Sequence, residues 1–144
     1  MKKVILYIGL FLLFSTQLSA QSKSDQALIL QKCIDLPELQ QCYPLAEDGS
    51  ISQLYVMQHG ISFPVDIEVT KSGKPLAFVG KSDINEQHIE CYFLFWIFEI
   101  DNDKARIEYT YNSNLNIKKA NIVEISLQKV NGEWNIIKSK VERK

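Results

Sequence analysis

The sequence is poor in histidine, the side chain that most often serves in acid–base catalysis. It contains two histidines, His59 in "MQHGIS" and His88 in "NEQHIEC". Glu86 and Glu90 lie near His88, and a histidine beside carboxylates is suited to act as a general base. Neither histidine has a nucleophile or an orienting third group in a recognisable spacing, and the G-x-S-x-G elbow of hydrolases is absent. We therefore predict no catalytic residue and interpret both histidines as surface residues.

Sequence patterns for metals, phosphates and cofactors are also missing. There is no Cys-x-x-Cys pair and no Cys/His spacing of the zinc type. The segment "KSGKP" has neither the glycine spacing nor the helix start of a phosphate-binding loop. Asp101 and Asp103 in "IDNDK" have the chemistry for calcium, but turns contain such residues anyway and the other ligands of a calcium loop are missing. We predict no metal and no cofactor.

The chain has no excess of charge of one sign, with 16 Lys and Arg against 17 Asp and Glu. Its first 20 residues have the three parts of a secretory signal peptide: Lys2 and Lys3, the apolar run "VILYIGLFLLF", and the small-residue exit "STQLSA". We predict a signal peptide over 1–20, cleaved after Ala20, with an uncleaved membrane anchor as the alternative. Residues 21–144 then form one periplasmic or secreted domain with no stable membrane span.

Cleavage after Ala20 removes two positive charges and leaves a formal charge of about −3. Nucleic acids and anionic membrane surfaces both reward clustered Lys and Arg. The mild acidity of the exported chain therefore argues against either as a partner, and we predict that the protein binds no nucleic acid.

Three cysteines follow the predicted signal peptide, an odd number for a compartment that permits disulfides. Cys33 and Cys42 are close together in "CIDLPELQQC", where Pro37 ends or kinks a helix. A helix followed by a turn brings their sulfur atoms together, so we predict a Cys33–Cys42 disulfide, with free thiols as the alternative. Cys91 is expected to pack as a small hydrophobic residue.

The one long apolar run after the signal peptide is "CYFLFWIF", residues 91–98. As a helix it would rise about 12 Å, far less than the ~30 Å hydrocarbon layer, so it does not span a membrane. As a strand it would reach about 26 Å, and its aromatic and branched residues suit the centre of a sheet. Because both of its faces are apolar, both need cover. One face can take the N-terminal helix, and the other predicts a loop, a second layer, a ligand pocket or a dimer contact.

The rest of the chain predicts a helix followed by short strands and two long hairpins. "SDQALILQKCIDL" has a helical apolar stripe, "SQLYVMQ", "PVDIEVT" and "PLAFV" are short and β-prone, and "KSDINEQH" is a helical turn or loop. "ARIEYTY" alternates, which places Tyr109 and Tyr111 on a buried face. Asn131-Gly132 favours a two-residue hairpin turn. We predict hairpins over 89–112 and 119–142, the second with Val130 opposite Glu133.

That register also predicts the two faces of the second hairpin. Leu127 lies opposite Ile136, and one face collects Val123, Ile125, Leu127, Trp134 and Ile136. The other face collects Ile122, Ile137 and Val141. The pattern does not fix the register of the first hairpin, because 91–98 is apolar on both sides.

The order of helix, loop and long-stranded meander resembles small exported bacterial domains of the cystatin-like and nuclear transport factor 2-like groups. "LQKVNGEWNIIKS" looks like the closing hairpin of such domains, and "CIDLPELQQCY" looks like the end of their packed helix. Unlike the larger members, this chain has one convincing helix before the sheet. The resemblance implies an α+β fold in which an N-terminal helix packs on a curved antiparallel sheet, a meander of long strands ending in the Asn-Gly hairpin. It implies no functional residues.

Aromatic residues are the remaining candidates for a site, because their faces give contact area at low entropic cost. We predict that Tyr92, Trp96 and Trp134 face a ligand or partner. The function that follows is an exported, non-catalytic binding or interaction domain of the bacterial cell envelope, of which an inhibitor or immunity protein is a specific example. The alternatives are a small pocket enzyme of the isomerase or hydrolase kind, using His88 or a carboxylate, and a structural envelope component.

Overall fold

The computed structural model describes residues 23–113 and 119–144. The predicted signal peptide and its cleavage site lie outside these residues. The chain runs through a helix over 23–34 (α1), a 3-10 helix over Pro37–Cys42, and a short helix α2 over Lys81–Glu86. The strands of the described ranges are β1 Tyr55–Met57, β2 Thr70–Lys71, β3 Lys74–Pro75, β4 Ala77–Val79, β5 Tyr92–Asp101, β6 Lys104–Ser113, β7 Lys119–Val130 and β8 Glu133–Arg143.

Six strands form one curved sheet in the order β4-β1-β5-β6-β7-β8. The strands from β5 to β8 are antiparallel, whereas β1 pairs in parallel with both β4 and β5. A parallel pair needs a long crossover, which residues 58–76 supply between β1 and β4. The predicted α+β class is confirmed, with parallel strands at one edge that the sequence did not predict.

Helix α1 packs on the concave side of this sheet through one apolar stripe. The stripe is fully buried and consists of Ile29, Leu30, Cys33 and Ile34. The helix stops before Pro37, whose ring begins the 3-10 helix. Tyr109 donates a hydrogen bond to the Cys33 carbonyl, and Tyr43 donates one to the Ile34 carbonyl, both at 2.8 Å. These tyrosines satisfy carbonyls that the end of a helix leaves without partners.

The predicted first hairpin is confirmed as β5 and β6, and its register contains a bulge at Trp96. Phe95 lies opposite Tyr109 and Ile97 lies opposite Glu108, so Trp96 has no residue facing it. The bulge changes which residues of β5 point inward. The inward residues are Phe93, Phe95, Phe98 and Ile100, which lie opposite Tyr111, Tyr109, Ile107 and Ala105. The alternating face of "ARIEYTY" is buried as predicted.

A second, smaller apolar cluster covers part of the outer face of β5. Leu94 packs there with Met57 of β1 and Ile84 of α2, and all three are buried. The polar segment "KSDINEQH" thus contains a helical turn, and its one apolar helical residue, Ile84, packs into this cluster. Helix α2 therefore covers part of the second apolar face of residues 91–98, for which the sequence predicted a cover.

The predicted second hairpin is confirmed as β7 and β8. Val130 lies opposite Glu133 and Leu127 opposite Ile136, as the Asn-Gly turn predicted. Asn131 and Gly132 have φ values of 51° and 79°, which is the left-handed region that this turn requires.

One part of the predicted second hairpin is wrong, because a bulge shifts the pairing beyond Leu127. Ser126 lies opposite Lys138, and Ile137 is the extra residue. Val141 therefore lies opposite Val123 and packs against the core, whereas the sequence placed it on the other face.

The segment "PVDIEVT" is also different from its prediction as a strand, since only Thr70 belongs to β2. Pro64 cannot donate to a ladder, and the Ile67 N–H bonds back to the Pro64 carbonyl at 3.1 Å, which closes a turn. Ile67 and Val69 are nevertheless buried in the main core. Apolar residues here fill a crossover loop.

Candidate functional site

The structure separates the three aromatic residues that were predicted to face a ligand or partner. Trp96 is 57% exposed, on the outer face of the sheet. Tyr92 is half-buried beside the α2 cluster. Trp134 is 2% exposed in the main core on the concave side, so its prediction as a contact residue is corrected. There is no common aromatic wall, and of the three only Trp96 is freely accessible.

Trp134 is buried because a polar cluster holds it there. Its Nε1 donates to the Asp25 carboxylate at 3.0 Å, and Lys129 Nζ bonds to the same oxygen at 2.8 Å. The Lys129 ammonium also lies 5.7 Å from the centre of the Trp134 ring, within range of a cation–π contact. This cluster ties the first turn of α1 to the last hairpin. The sequence contained part of the signal for this cluster, because the predicted register placed Trp134 on the apolar face and next to Lys129.

The outer face of β6, β7 and β8 is a charged surface. Arg106 forms an ion pair with Glu108, and Lys140 forms one with Glu142. Glu108 lies directly opposite Glu124, an arrangement of like charges that is unfavourable unless cations compensate it. The hydrogen bond from Lys140 to Glu142, together with the nearby Glu142 and Glu124 charges, raises the pKa of Lys140. The carboxylates are thus balanced by cations from β6 and β8.

Two shallow depressions lie on this outer face, with volumes of about 170 and 230 Å³. Both are lined in part by Arg106 and Ser126. The first also contains Glu108, Glu124, Lys138 and Lys140, and the second Glu99, Asp101, Lys104 and Ile137. Pockets that enclose a small molecule usually measure ≈ 300–1,000 Å³. These depressions are smaller and open, so the outer face suits a broad contact better than an enclosed ligand.

The residues considered for acid–base chemistry do not line either depression. His59 and His88 are both exposed, as is Glu90. His88 has a φ of 53° just after α2, where the chain turns toward β5. Over residues 23–113 and 119–144, no three His, Cys, Asp or Glu side chains come together in a way that would hold a metal ion.

The three cysteines are free thiols, so the predicted Cys33–Cys42 disulfide is not formed in the structure. Cys33 points from α1 into the core and is fully buried, and this burial raises the pKa of its thiol. Cys42 ends the 3-10 helix and is half-buried against Asn121 of β7 and Arg143 of β8. The 3-10 helix thus carries Cys42 to a different part of the sheet.

Within the described ranges, no helix is both long and apolar enough to cross a lipid bilayer. Comparisons of the chain with family models, with curated proteins and with solved structures find no match. The candidate site therefore rests on the geometry of the outer face alone.

Proposed function

We propose that the protein is an exported, non-catalytic binding domain that contacts a protein partner through the surface around Trp96. We name this surface the Trp96 face, and it consists of Trp96, Ile97, Glu99, Arg106 and Glu108. The observation that carries the proposal is the bulge in β5, which turns a tryptophan in the middle of a paired strand outward. Tryptophan is among the residues most enriched where protein interfaces concentrate their binding energy.

The surroundings of Trp96 support a protein partner over a small ligand. Ile97 lies opposite Glu108 and Glu99 opposite Arg106, so the tryptophan is bordered by an apolar residue and an ordered set of charges. A central aromatic residue with a charged border is the usual arrangement of a protein contact. The depressions beside it are too small and open to enclose a ligand.

Negative and positive side chains lie at opposite borders of this surface. Glu99 and Asp101 lie on β5, whereas Lys138 and Lys140 lie on β8 at the other border of the same face. A partner with basic groups near Trp96 and acidic groups near β8 would be complementary, and such complementarity sets specificity and association rate more than affinity. An inhibitor or immunity protein that blocks one envelope enzyme or toxin fits this kind of surface.

The resemblance to cystatin-like and nuclear transport factor 2-like domains belongs to the same proposal. The resemblance is supported by the curved sheet, by the helix on its concave side and by the long hairpin that ends the fold. In this chain the concave side is filled by α1 and aromatic side chains. The proposed contact is therefore on the outer side of the sheet.

The test is site-specific photo-crosslinking in the cell envelope of the producing organism. A benzophenone amino acid replaces Trp96 in the full chain, and a control chain carries it at Val65, which is 99% exposed on the loop between β1 and β2. We expect one discrete crosslinked protein from position 96 and none in common with position 65. The same products from both positions would contradict the proposal.

The partner found in this way is then used to measure affinity. We expect Trp96→Ala to weaken binding about 30-fold or more, since truncation of a central tryptophan typically costs ≥ 2 kcal/mol. The matched variant Leu45→Ala, at an exposed apolar residue that lines neither depression, should change affinity less than threefold. Equal losses for both variants would show that the contact lies elsewhere. Export is tested separately, by finding Gln21 at the N-terminus of the envelope protein.

A further inference from the structure

A thiol with two nitrogen donors lies where the end of the 3-10 helix meets β7 and β8. The Asn121 Nδ2 atom is 3.7 Å from the Cys42 sulfur, and an Arg143 guanidinium nitrogen is 3.8 Å from it. N–H donors and a positive charge both stabilise negative charge on sulfur. Cys42 is half-buried, whereas Cys33 is fully buried.

The same place contains buried polar atoms without partners. Asn121 is 3% exposed, and its Oδ1 makes no hydrogen bond to any residue that the structure describes. Tyr111 lies directly opposite Asn121 and is fully buried, and its hydroxyl also has no partner. An unpaired buried polar atom loses its hydration without a replacement and calls for an explanation. The Asn121 oxygen belongs to the same carboxamide that contacts Cys42, so it offers an acceptor beside the sulfur.

We propose that Cys42 is a peroxide-oxidation site, and that Asn121 and Arg143 hold its sulfenic acid. The sulfur attacks one oxygen of hydrogen peroxide, so that an S–O bond forms and the O–O bond breaks. The departing hydroxide takes the proton released from the Cys42 thiol and leaves as water. Sulfur loses two electrons and peroxide gains them. The new S–O–H group donates to Asn121 Oδ1, and its oxygen accepts from Arg143.

The other two cysteines provide internal comparisons. Cys33 is fully buried under α1 and has no access to a solute. Cys91 is half-buried near Tyr111, whose pKa is raised chiefly by burial and further by Cys91. Within the described ranges no nitrogen donor contacts the Cys91 sulfur, so it lacks the feature that distinguishes Cys42. The order of reactivity is therefore Cys42 first, Cys91 second and Cys33 last.

The proposal is tested on the folded protein with hydrogen peroxide in the presence of dimedone, which labels sulfenic acids. Mass mapping of the peptides should find the label on Cys42 at least ten times faster than on Cys91, and none on Cys33. A label on Cys91 at an equal or greater rate would overturn the proposal.

Variants separate the two positioning residues. Arg143 is exposed near the C-terminus, so Arg143→Gln should preserve the fold and slow labelling of Cys42 several-fold, while Lys81→Gln, at an exposed cation on α2, should not. An unchanged rate for Arg143→Gln would overturn its role.

Asn121→Leu removes the acceptor, so the sulfenic acid should survive for a shorter time between quenching of the peroxide and addition of dimedone. An equal lifetime in a folded Asn121→Leu protein would show that the amide does not hold the product.

Discussion

The inner and outer faces of strands β5 to β8 differ in nearly every respect, although successive residues of each strand alternate between the two faces. The inner face is a continuous aromatic and aliphatic surface in which Phe93, Tyr109 and Tyr111 are fully buried. The outer face has ion pairs and opposed carboxylates. Apart from Val130, where β7 ends at the Asn-Gly turn, two large apolar side chains are nevertheless strongly exposed in the described part of these strands, Trp96 and Ile137.

Both exceptions have the same cause. Trp96 is the extra residue of the bulge in β5, and Ile137 is the extra residue of the bulge in β8. In each strand the bulge lets the inward pattern resume one residue later, and the cost is one apolar residue with no place in the ladder. An exposed apolar residue here is thus a product of strand geometry. Both strands are paired along their length, β5 with β6 and β8 with β7. The two residues differ in side chain, and tryptophan is the one that is enriched where protein interfaces concentrate their binding energy.

The strongest test of this comparison is a pair of single-residue deletions. Deletion of Thr110 from β6 forces either Tyr109 or Tyr111 to the outer face, because side chains alternate along a strand. We expect a loss of about 5 kcal/mol in the free energy of unfolding, near the upper range for removal of a large buried side chain. Deletion of Trp96 removes only the bulge and leaves Phe98 inward, so its cost should stay near 1 kcal/mol. Urea unfolding of both variants measures this difference, and equal losses would contradict the assignment of the bulge.

Alkaline pH tests the inner face as a whole. Burial raises the pKa of Tyr43, Tyr109 and Tyr111, chiefly because the charged phenolate would lose its hydration. A raised folded-state pKa contributes stability below the unfolded value of about 10, and this stability is lost as pH rises above it. At pH 11 the loss is on the order of 1 kcal/mol for each residue, or a few kcal/mol for the three. We expect part of the tyrosinate absorbance to appear together with loss of the far-UV circular dichroism signal, and complete ionisation before unfolding would contradict the burial.

The Asn-Gly turn tests what sets the two faces of the second hairpin. Replacement of Asn131-Gly132 with Val-Val puts branched residues at two positions with positive φ, each costing roughly 1–2 kcal/mol. We expect a loss of about 2–3 kcal/mol, measured by thermal unfolding. The double replacement of Leu45 and Glu47 by valine, in an exposed turn without this requirement, is the control and should change stability by less than about 0.5 kcal/mol. An unchanged stability would show that the turn does not determine the register.

The elements that could be predicted are those for which the local sequence allows only one conformation or one orientation in the sheet. The Asn-Gly turn fixed the pairing of Val130 with Glu133, and strict alternation placed Tyr109 and Tyr111 inside. The bulges were not predicted, because an extra residue in a strand that is apolar on both sides leaves no trace in the pattern. The error in Val141 follows directly from the bulge at Ile137.

The candidate site was predictable only in part, for a related reason. Trp96 and Trp134 are equally aromatic, and their exposure depends on which face each strand turns inward. For Trp134 the register already placed the ring among apolar residues, and its bond to Asp25 joins positions 109 residues apart, a pairing that no local pattern contains. The prediction that Trp96 faces a partner rests on its aromatic side chain, whereas the bulge that exposes it is visible only in three dimensions.

The smallest expected effect separates two neighbouring tyrosines of the inner face. Both are fully buried, but the Tyr109 hydroxyl bonds to the Cys33 carbonyl whereas the Tyr111 hydroxyl has no partner in the described part of the chain. Tyr109→Phe should therefore cost about 1 kcal/mol, since it removes a buried hydrogen bond and leaves a carbonyl unpaired. Tyr111→Phe removes an unpaired group and should be neutral or stabilising. Chemical unfolding of the two variants provides the measurement, and a larger loss for Tyr111→Phe would mean that its hydroxyl has a bound partner, such as a buried water shared with Asn121.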